Sequence, residues 1–470
     1  MRIDLWPASL HSRPLRPILA GKLRAERLLC RQLPLHYNRP MNEKTVQEPP
    51  VGWWQRVRTH PLARVGPGFI TGVADDDPSG IATYSQAGAQ YGLDMLWTMP
   101  LAWPLMAAIQ CMCAFIGRTT GCGLAANIKN AFPPGVLRAV VLLLLIANTI
   151  NISADVAAMG EAAELVTGLG RHSMTALFVA VTVLLQVFVP YRRYVWYLKW
   201  LTLSLLAYAA VLFVVHVPWR QVALHTLIPR FTPSAASAAM IVGVLGTTIS
   251  PYLFFWQASE EVEDMQAGGG RSLIKAPREA RAELRRINWD TWAGMFYSDL
   301  TAYFIILATA VTLHVAGITD IDSAAQAAEA LRPLAGQFAF LLFATGIIGV
   351  GLIGVPVLAG SGAYALAEAL GWPSGLERTL REAPGFYSVI ALSVLVGLGL
   401  QYLPINPMKA LFYSAVINGI VAVPLMAVII VLVSKRSVMG AYTASRPLVI
   451  LGWIGTAIMA VAALLMLKSH

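Results

Sequence analysis

Gly66-Pro67-Gly68-Phe69-Ile70-Thr71-Gly72-Val73-Ala74-Asp75-Asp76-Asp77-Pro78-Ser79-Gly80 places three consecutive acids and a proline inside an apolar stretch that continues to Tyr91-Gly92. The stretch is long enough to cross a bilayer. A carboxylate at membrane depth costs about 2.5 to 3.5 kcal/mol on insertion scales, so it faces a partner, an ion or a water-filled path. The segment therefore reads as a site.

Working outward, the rest of the chain is equally apolar. Hydrophobic residues make up 57% and charged residues 13%, and the mean hydropathy is +0.61; a soluble domain carries about 25% charged residues. Apolar runs of about 20 residues recur to the C-terminus, which gives an all-α membrane protein of about 11 transmembrane helices. The expected spans centre on residues 72–90, 97–116, 140–159, 175–189, 201–217, 238–255, 297–315, 338–357, 387–403, 411–433 and 448–467.

The net charge of +10 raises the question of nucleic-acid binding, and charge placement answers it. With a cytoplasmic N-terminus and alternating spans, every Lys and Arg falls on the cytoplasmic side except Arg171, Arg220, Arg230, Arg332, Lys409 and Lys468. That is the positive-inside distribution of a protein of the cytoplasmic membrane, so the basicity calls for a lipid bilayer and no nucleic acid. The cysteines are Cys30, Cys111, Cys113 and Cys122. Cys111 and Cys113 lie near the cytoplasmic end of the second span, two positions apart on a helix, and read as packing residues rather than a disulfide or a metal clamp.

Residues 1–62 form an N-terminal arm rich in Arg, Pro and Leu, expected to be cytoplasmic and disordered, and residues 63–470 form the transmembrane domain. Met41 offers an alternative start to the chain, which mass spectrometry of the native N-terminus separates from the first reading. A second polar tract, 260–288, opens with Glu260, Glu261, Glu263 and Asp264 and ends in a basic run. Within it, 277–287 reads either as a short amphipathic helix on the inner membrane surface or as a solvated loop.

Two spans carry breakers at matching positions: Pro78-Ser79-Gly80 in the first and Gly246-Thr247-Thr248-Ile249-Ser250-Pro251-Tyr252 in the sixth. Five spans apart, the broken helices run in opposite directions, the pattern of a five-plus-five inverted repeat whose discontinuous helices meet at a midplane site. At each break, carbonyls lose their intrahelical partners, and the negative end of the first half-helix favours a cation. Successive residues on a helix step by about 100°, so three adjacent acids cannot face one ion. Asp77 is assigned as the metal ligand, with Thr247 and Ser250 opposite it, while Asp76 or Asp75 is expected to face an aqueous vestibule. All are hard oxygen donors, suited to Mg²⁺, Ca²⁺ or Mn²⁺.

The third span presents Asn148, Asn151 and Asp155 on one face, which lines either a hydrated pathway or an interhelical hydrogen-bonding seam. Gly349-Val350-Gly351-Leu352-Ile353-Gly354 matches a dinucleotide fingerprint, but it lies inside a membrane run with no preceding strand and reads as close helix packing. No GxxxxGK[ST], HExxH or GxSxG occurs, so the chain has no motif for ATP-driven pumping or hydrolysis and is not read as an enzyme.

Gly66-Pro67-Gly68-Phe69, Asp77-Pro78-Ser79-Gly80, Gln86-Ala87-Gly88-Ala89 and Tyr91-Gly92 resemble the first-span signature of the Nramp divalent metal transporters. The resemblance implies a leucine-transporter-type fold with metal bound at the breaks of spans one and six. It also shows departures. The family's Asp-Pro-Gly-Asn is here Asp77-Pro78-Ser79-Gly80, and its Met-Pro-His is Ser250-Pro251-Tyr252. Its span-three acids align near Ala154 and Ala157, with Asp155 one position away, and its span-ten glutamine has Asn418 as the nearest polar counterpart. Gly80, Gln86, Tyr252 and Asn418 thus join Asp76, Asn148, Asn151 and Asp155 as cavity and pathway residues.

Loss of the thioether removes a preference for softer metals, and the space left by Gly80 and Ser250 suits an ion that keeps its waters, as Mg²⁺ does. The pattern is similar to the Nramp-related magnesium transporters. The expectation is a secondary transporter importing Mg²⁺ and Mn²⁺ by alternating access, with the cation as cargo and no cofactor; a monomer suffices. A proton-coupled Mn²⁺/Fe²⁺ carrier and a symporter of small organic solutes on the same fold are the alternatives.

Overall fold

The computed structural model describes residues 66–189, 204–230 and 234–468. The N-terminal arm and Met41 lie outside them. Among the described residues the regular structure is helical: α1 (Pro67–Asp75), α2 (Pro78–Tyr91), α3 (Thr98–Thr120), α4 (Leu124–Ala131), α5 (Pro134–Thr167), α6 (Arg171–Phe188), α7 (Leu206–Val211) and α8 (Trp219–Leu227). There follow α9 (Ala235–Thr248), α10 (Pro251–Ala267), α11 (Ala280–Thr309), α12 (Ala324–Ala328), α13 (Ala339–Leu370), α14 (Pro384–Leu400), α15 (Pro407–Ser434) and α16 (Arg446–Lys468).

Among the described residues, eight continuous stretches are long and apolar enough to cross a membrane, and Pro384–Leu400 is a shorter apolar helix. The first expected span is the pair α1 and α2, each too short to cross alone. The fifth is described only in part, as α7.

The breaks have the same backbone design. Asp76 (φ −79°, ψ 69°) and Ile249 (φ −106°, ψ 63°) turn the chain out of the helix. Asp77 (φ −82°, ψ 172°) and Ser250 (φ −78°, ψ 129°) are extended, and Pro78 and Pro251 start the second halves. A proline forces its predecessor out of the helical region, and its missing N–H costs nothing at the first helical position. Asp77 and Ser250 are therefore structural equivalents in the two breaks.

The half-helices also hold each other. The Tyr84 hydroxyl on α2 meets Thr248 Oγ1 at 3.0 Å, and the Tyr252 hydroxyl on α10 lies 3.4 Å from the Ala74 carbonyl oxygen. Around this pair pack α5, α11, α13 and α15.

Two expectations for the polar tract are corrected. Glu260, Glu261, Glu263 and Asp264 belong to α10, not to a linker, and Glu260 and Glu261 are buried. The stretch 277–287 is neither a surface helix nor a loop: α11 begins at Ala280 and runs unbroken to Thr309. Ion pairs between helices take up Glu261, Glu283 and Arg286. Cys111 and Cys113 are free and buried.

Helix α1 lies against α11 at backbone contact. A Cβ on Gly294 would lie 2.4 Å from the Gly68 carbonyl oxygen, and one on Gly72 would lie 2.2 Å from that of Gly294. Such approaches require a residue without a side chain at the contact. Gly294→Val is therefore expected to lower stability by about 1–3 kcal/mol through overpacking, read as a lower melting temperature of the detergent-solubilised protein. An unchanged melting temperature would show that the helices are not locked at this point.

Candidate metal centre

Asp77 is 1% exposed and lies at the centre of the bundle. Its Oδ1 accepts the Gly80 N–H at 2.8 Å, so the side chain caps α2. An aspartate in that position stabilises a helix N-terminus both by the hydrogen bond and by its charge. Its Oδ2 accepts Asn151 Nδ2 from α5 at 2.9 Å and the Tyr252 hydroxyl from α10 at 3.3 Å. Both of these side-chain donors are neutral, so hydrogen bonds soften the charge of Asp77 without cancelling it.

On the facing break, Ser250 Oγ donates to the Thr247 carbonyl at 2.6 Å and lies 3.2 Å from that of Gly246. The two expected ligands are thus bonded to each other, with the lone pairs of Ser250 Oγ and the second lone pair of the Thr247 carbonyl left over. The Thr247 hydroxyl is buried with no partner. A Cβ on Gly80 would lie 3.3 Å from it and 3.6 Å from Asp77 Oδ1. The bare face of Gly80 therefore borders the space between carboxylate and hydroxyl, and any side chain there would intrude on it.

Asp155 follows Asn151 by one turn of α5; it is wholly buried, with its carboxylate near the Ser79 backbone and close enough to Asp77 to interact electrostatically. Asn418 on α15 is likewise buried with its amide unpartnered. Of the expected residues, Gly80, Asn151 and Tyr252 each hydrogen-bond directly to Asp77. Among the described residues, no three His, Cys, Asp or Glu side chains group closely enough to hold a metal ion. Any cation here would rest on Asp77, neutral oxygens and its own waters, with the Asp155 carboxylate close by.

Other expected residues sit elsewhere. Asn148 Nδ2 donates to the Leu358 carbonyl and to Ser361 Oγ, each at 2.8 Å, which joins α5 to α13 as an interhelical seam. Gln86 is clamped to the 319–321 loop, donating to the Thr319 carbonyl at 3.1 Å and accepting the Ile321 N–H at 2.9 Å. It lies nine residues along the helix from Asp77, roughly 13 Å of rise, and fastens the Tyr91 end.

The expected vestibule for Asp75 or Asp76 is also corrected. Both are buried, and Ser298 Oγ on α11 contacts Asp75 Oδ2 at 2.6 Å and Asp76 Oδ1 at 3.1 Å. Asp299, its neighbour, is close enough to Asp76 to interact electrostatically. Sequence reasoning missed this pair, although Ser298-Asp299 inside an apolar run was a visible signal.

With this geometry in hand, the comparisons are specific. The family model described as Natural resistance-associated macrophage protein-like matches residues 68–469. The chain belongs to the Nramp family. It is similar to the divalent metal cation transporters MntH of Acidiphilium cryptum, 28% identical over 410 residues, covering 85% of this chain and 88% of the relative. The MntH of Verminephrobacter eiseniae is 29% identical over 393 residues, covering 81% and 83%.

Among solved structures, the fold is like that of the Eremococcus coleocola manganese transporter, with a TM-score of 0.68 at 18% identity over 90% of this chain and 88% of that one. Mhp1, a nucleobase-cation-symport-1 family transporter, gives 0.55 at 13% identity over 86% and 92%. These establish for this Nramp chain the leucine-transporter-type architecture expected from its two breaks.

The separate surroundings of two asparagines one turn apart give a test. Asn148→Ala is expected to cost roughly 1 kcal/mol of stability, the scale of an interhelical hydrogen bond in a membrane bundle, while leaving divalent-metal binding by calorimetry unchanged. Loss of metal binding with stability intact would place Asn148 at the metal instead of in the seam.

Proposed function

We propose that the protein is a secondary transporter that carries hard divalent cations, Mg²⁺ and Mn²⁺, across the cytoplasmic membrane into the cell by alternating access, with its N-terminus cytoplasmic. The reading rests on one observation: a buried carboxylate at the meeting point of two helix breaks whose contacting side chains, Asn151 and Tyr252, are neutral. Membrane carboxylates are retained where they serve an ion or a pathway. The divalent-metal activity in the names of the MntH relatives points the same way.

In this reading Asp77 Oδ2 is the main ligand, and the Ser250 hydroxyl, the Thr247 hydroxyl and the Thr247 carbonyl are secondary ones. The space beside Gly80 takes hydration water. Oxygen donors and retained water favour Mg²⁺ and Mn²⁺ over softer ions. Occlusion supports alternating access: Asp77, Thr247, Ser250 and Tyr252 are each at most 1% exposed.

One observation favours a proton-coupled version, in which the cation enters with a proton. Asp155 is a buried carboxylate one turn from Asn151 and near the Asp77 carboxylate, and protonation is one way to relieve the repulsion of two buried acids.

In proteoliposomes, Asp77→Ala is expected to reduce Mg²⁺ and Mn²⁺ uptake to the protein-free background, and flux equal to wild type would refute the site. Uncoupled transport predicts no internal acidification during metal entry. Acidification that Asp155→Asn abolishes would establish the coupled version.

A further inference from the structure

We propose that Arg286 is the central member of a charged latch that shuts the binding site off at the Gly66 end of the bundle and parts when that end opens. Arg286 is a positioning residue for transport. The proposal rests on the transporter reading above.

Arg286 lies on α11. Its Nη2 bonds Glu261 Oε2 of α10 at 2.6 Å, its Nε bonds Glu283 Oε2 at 3.1 Å, and its Nη1 is 4.0 Å from Asp290 Oδ2. Glu283 Oε2 also takes Arg118 Nε of α3 at 3.2 Å. Asp290 reaches further, accepting the Gly66 N–H at 3.1 Å and the Gly68 N–H at 2.8 Å at the start of α1. One guanidinium therefore sits at the hub of contacts that join α1, α3, α10 and α11.

The helices joined are informative. Helices α1 and α10 are the halves of the two broken helices that run from the metal centre to this end. Glu261 lies on α10 ten residues past Pro251, about 15 Å of rise, and its side chain is fully buried. The latch thus ties both mobile candidates to the same point of α11.

Charge is a poor way to glue helices permanently, because a buried ion pair often contributes less than an apolar pair of the same volume. It is well suited to a contact that must break. Its attraction is strong while water is excluded and weakens severalfold once water enters. A latch of this kind is therefore firm when closed and offers little resistance once parted.

The chain contains a reporter. Cys111 on α3 is free and buried, its Sγ 3.7 Å from Asn288 Oδ1, two residues from both Arg286 and Asp290. Its thiol is close enough to Glu261 and Asp290 to interact with both electrostatically, so parting α10 and α1 from α11 would expose it at the Gly66 end.

The test uses the full chain with Cys30, Cys113 and Cys122 replaced by Ser, reconstituted in vesicles, and an impermeant maleimide applied to each face in turn. Arg286→Met is expected to label Cys111 about tenfold faster from the Gly66 face, the response to losing roughly 1.4 kcal/mol of closing energy. Labelling from the Tyr91 face should not change. The conservative Arg286→Lys, which keeps a positive charge among Glu261, Glu283 and Asp290, should label at close to the wild-type rate, which a role in packing alone would not predict.

Should Arg286→Met fail to fold, Asp290→Asn, which weakens the hold on α1 and the longest of the Arg286 ion pairs, should give a smaller increase at the same face. Wild-type labelling rates in a folded variant, or equal acceleration from both faces, would overturn the latch. Because labelling needs no metal, a failure here is distinct from a failure of the Asp77 flux experiment.

Discussion

The centre of this bundle depends on how the two oxygens of Asp77 are divided. Oδ1 accepts the Gly80 N–H, which begins α2. Oδ2 receives Asn151 and Tyr252 from two other helices. A helix broken in the membrane must satisfy the backbone groups it frees, and the Asp77 carboxylate does so at the start of α2. The same atom group that makes the break tolerable supplies the negative potential that a cation would meet.

The second break has the same backbone path with a different residue at the equivalent position. Ser250 turns its hydrogen back onto the carbonyls of its own half-helix, at Thr247 and Gly246. One break thus contributes charge and the other neutral oxygen, and Tyr84 with Thr248 fixes the two halves side by side. The arrangement is fastened at both ends. Gln86 and His314 Nδ1, which lies 2.8 Å from the Ala89 carbonyl, fix the Tyr91 end, and Asp290 fixes the Gly66 end.

Much of this was legible from local rules. Pro78 and Pro251 announce the breaks because proline constrains the residue before it wherever it stands, and Asp77 announces the site because an acid is expensive at membrane depth. What escaped depends on which helix a side chain faces. The periodicity of Asn148, Asn151 and Asp155 identified one face of α5. It could not say that Asn148 meets Ser361 of α13 while Asn151 meets Asp77. Asp76 or Asp75 was expected to face water because three adjacent acids cannot face one ion; both instead lie buried against Ser298, more than two hundred residues on. Glu261 was placed in a linker because its charge ended an apolar run, whereas Arg286 allows α10 to carry it into the interior.

The most direct test of the account is calorimetric titration of the purified protein with Mg²⁺, Mn²⁺ and Cd²⁺, beside Asp77→Asn. Removing the charge of Asp77 while keeping its shape should abolish binding of Mg²⁺ and Mn²⁺, and the wild type should show no preference for Cd²⁺. Undiminished binding by the variant, or a tight preference for Cd²⁺, would contradict an all-oxygen cation site built on this carboxylate.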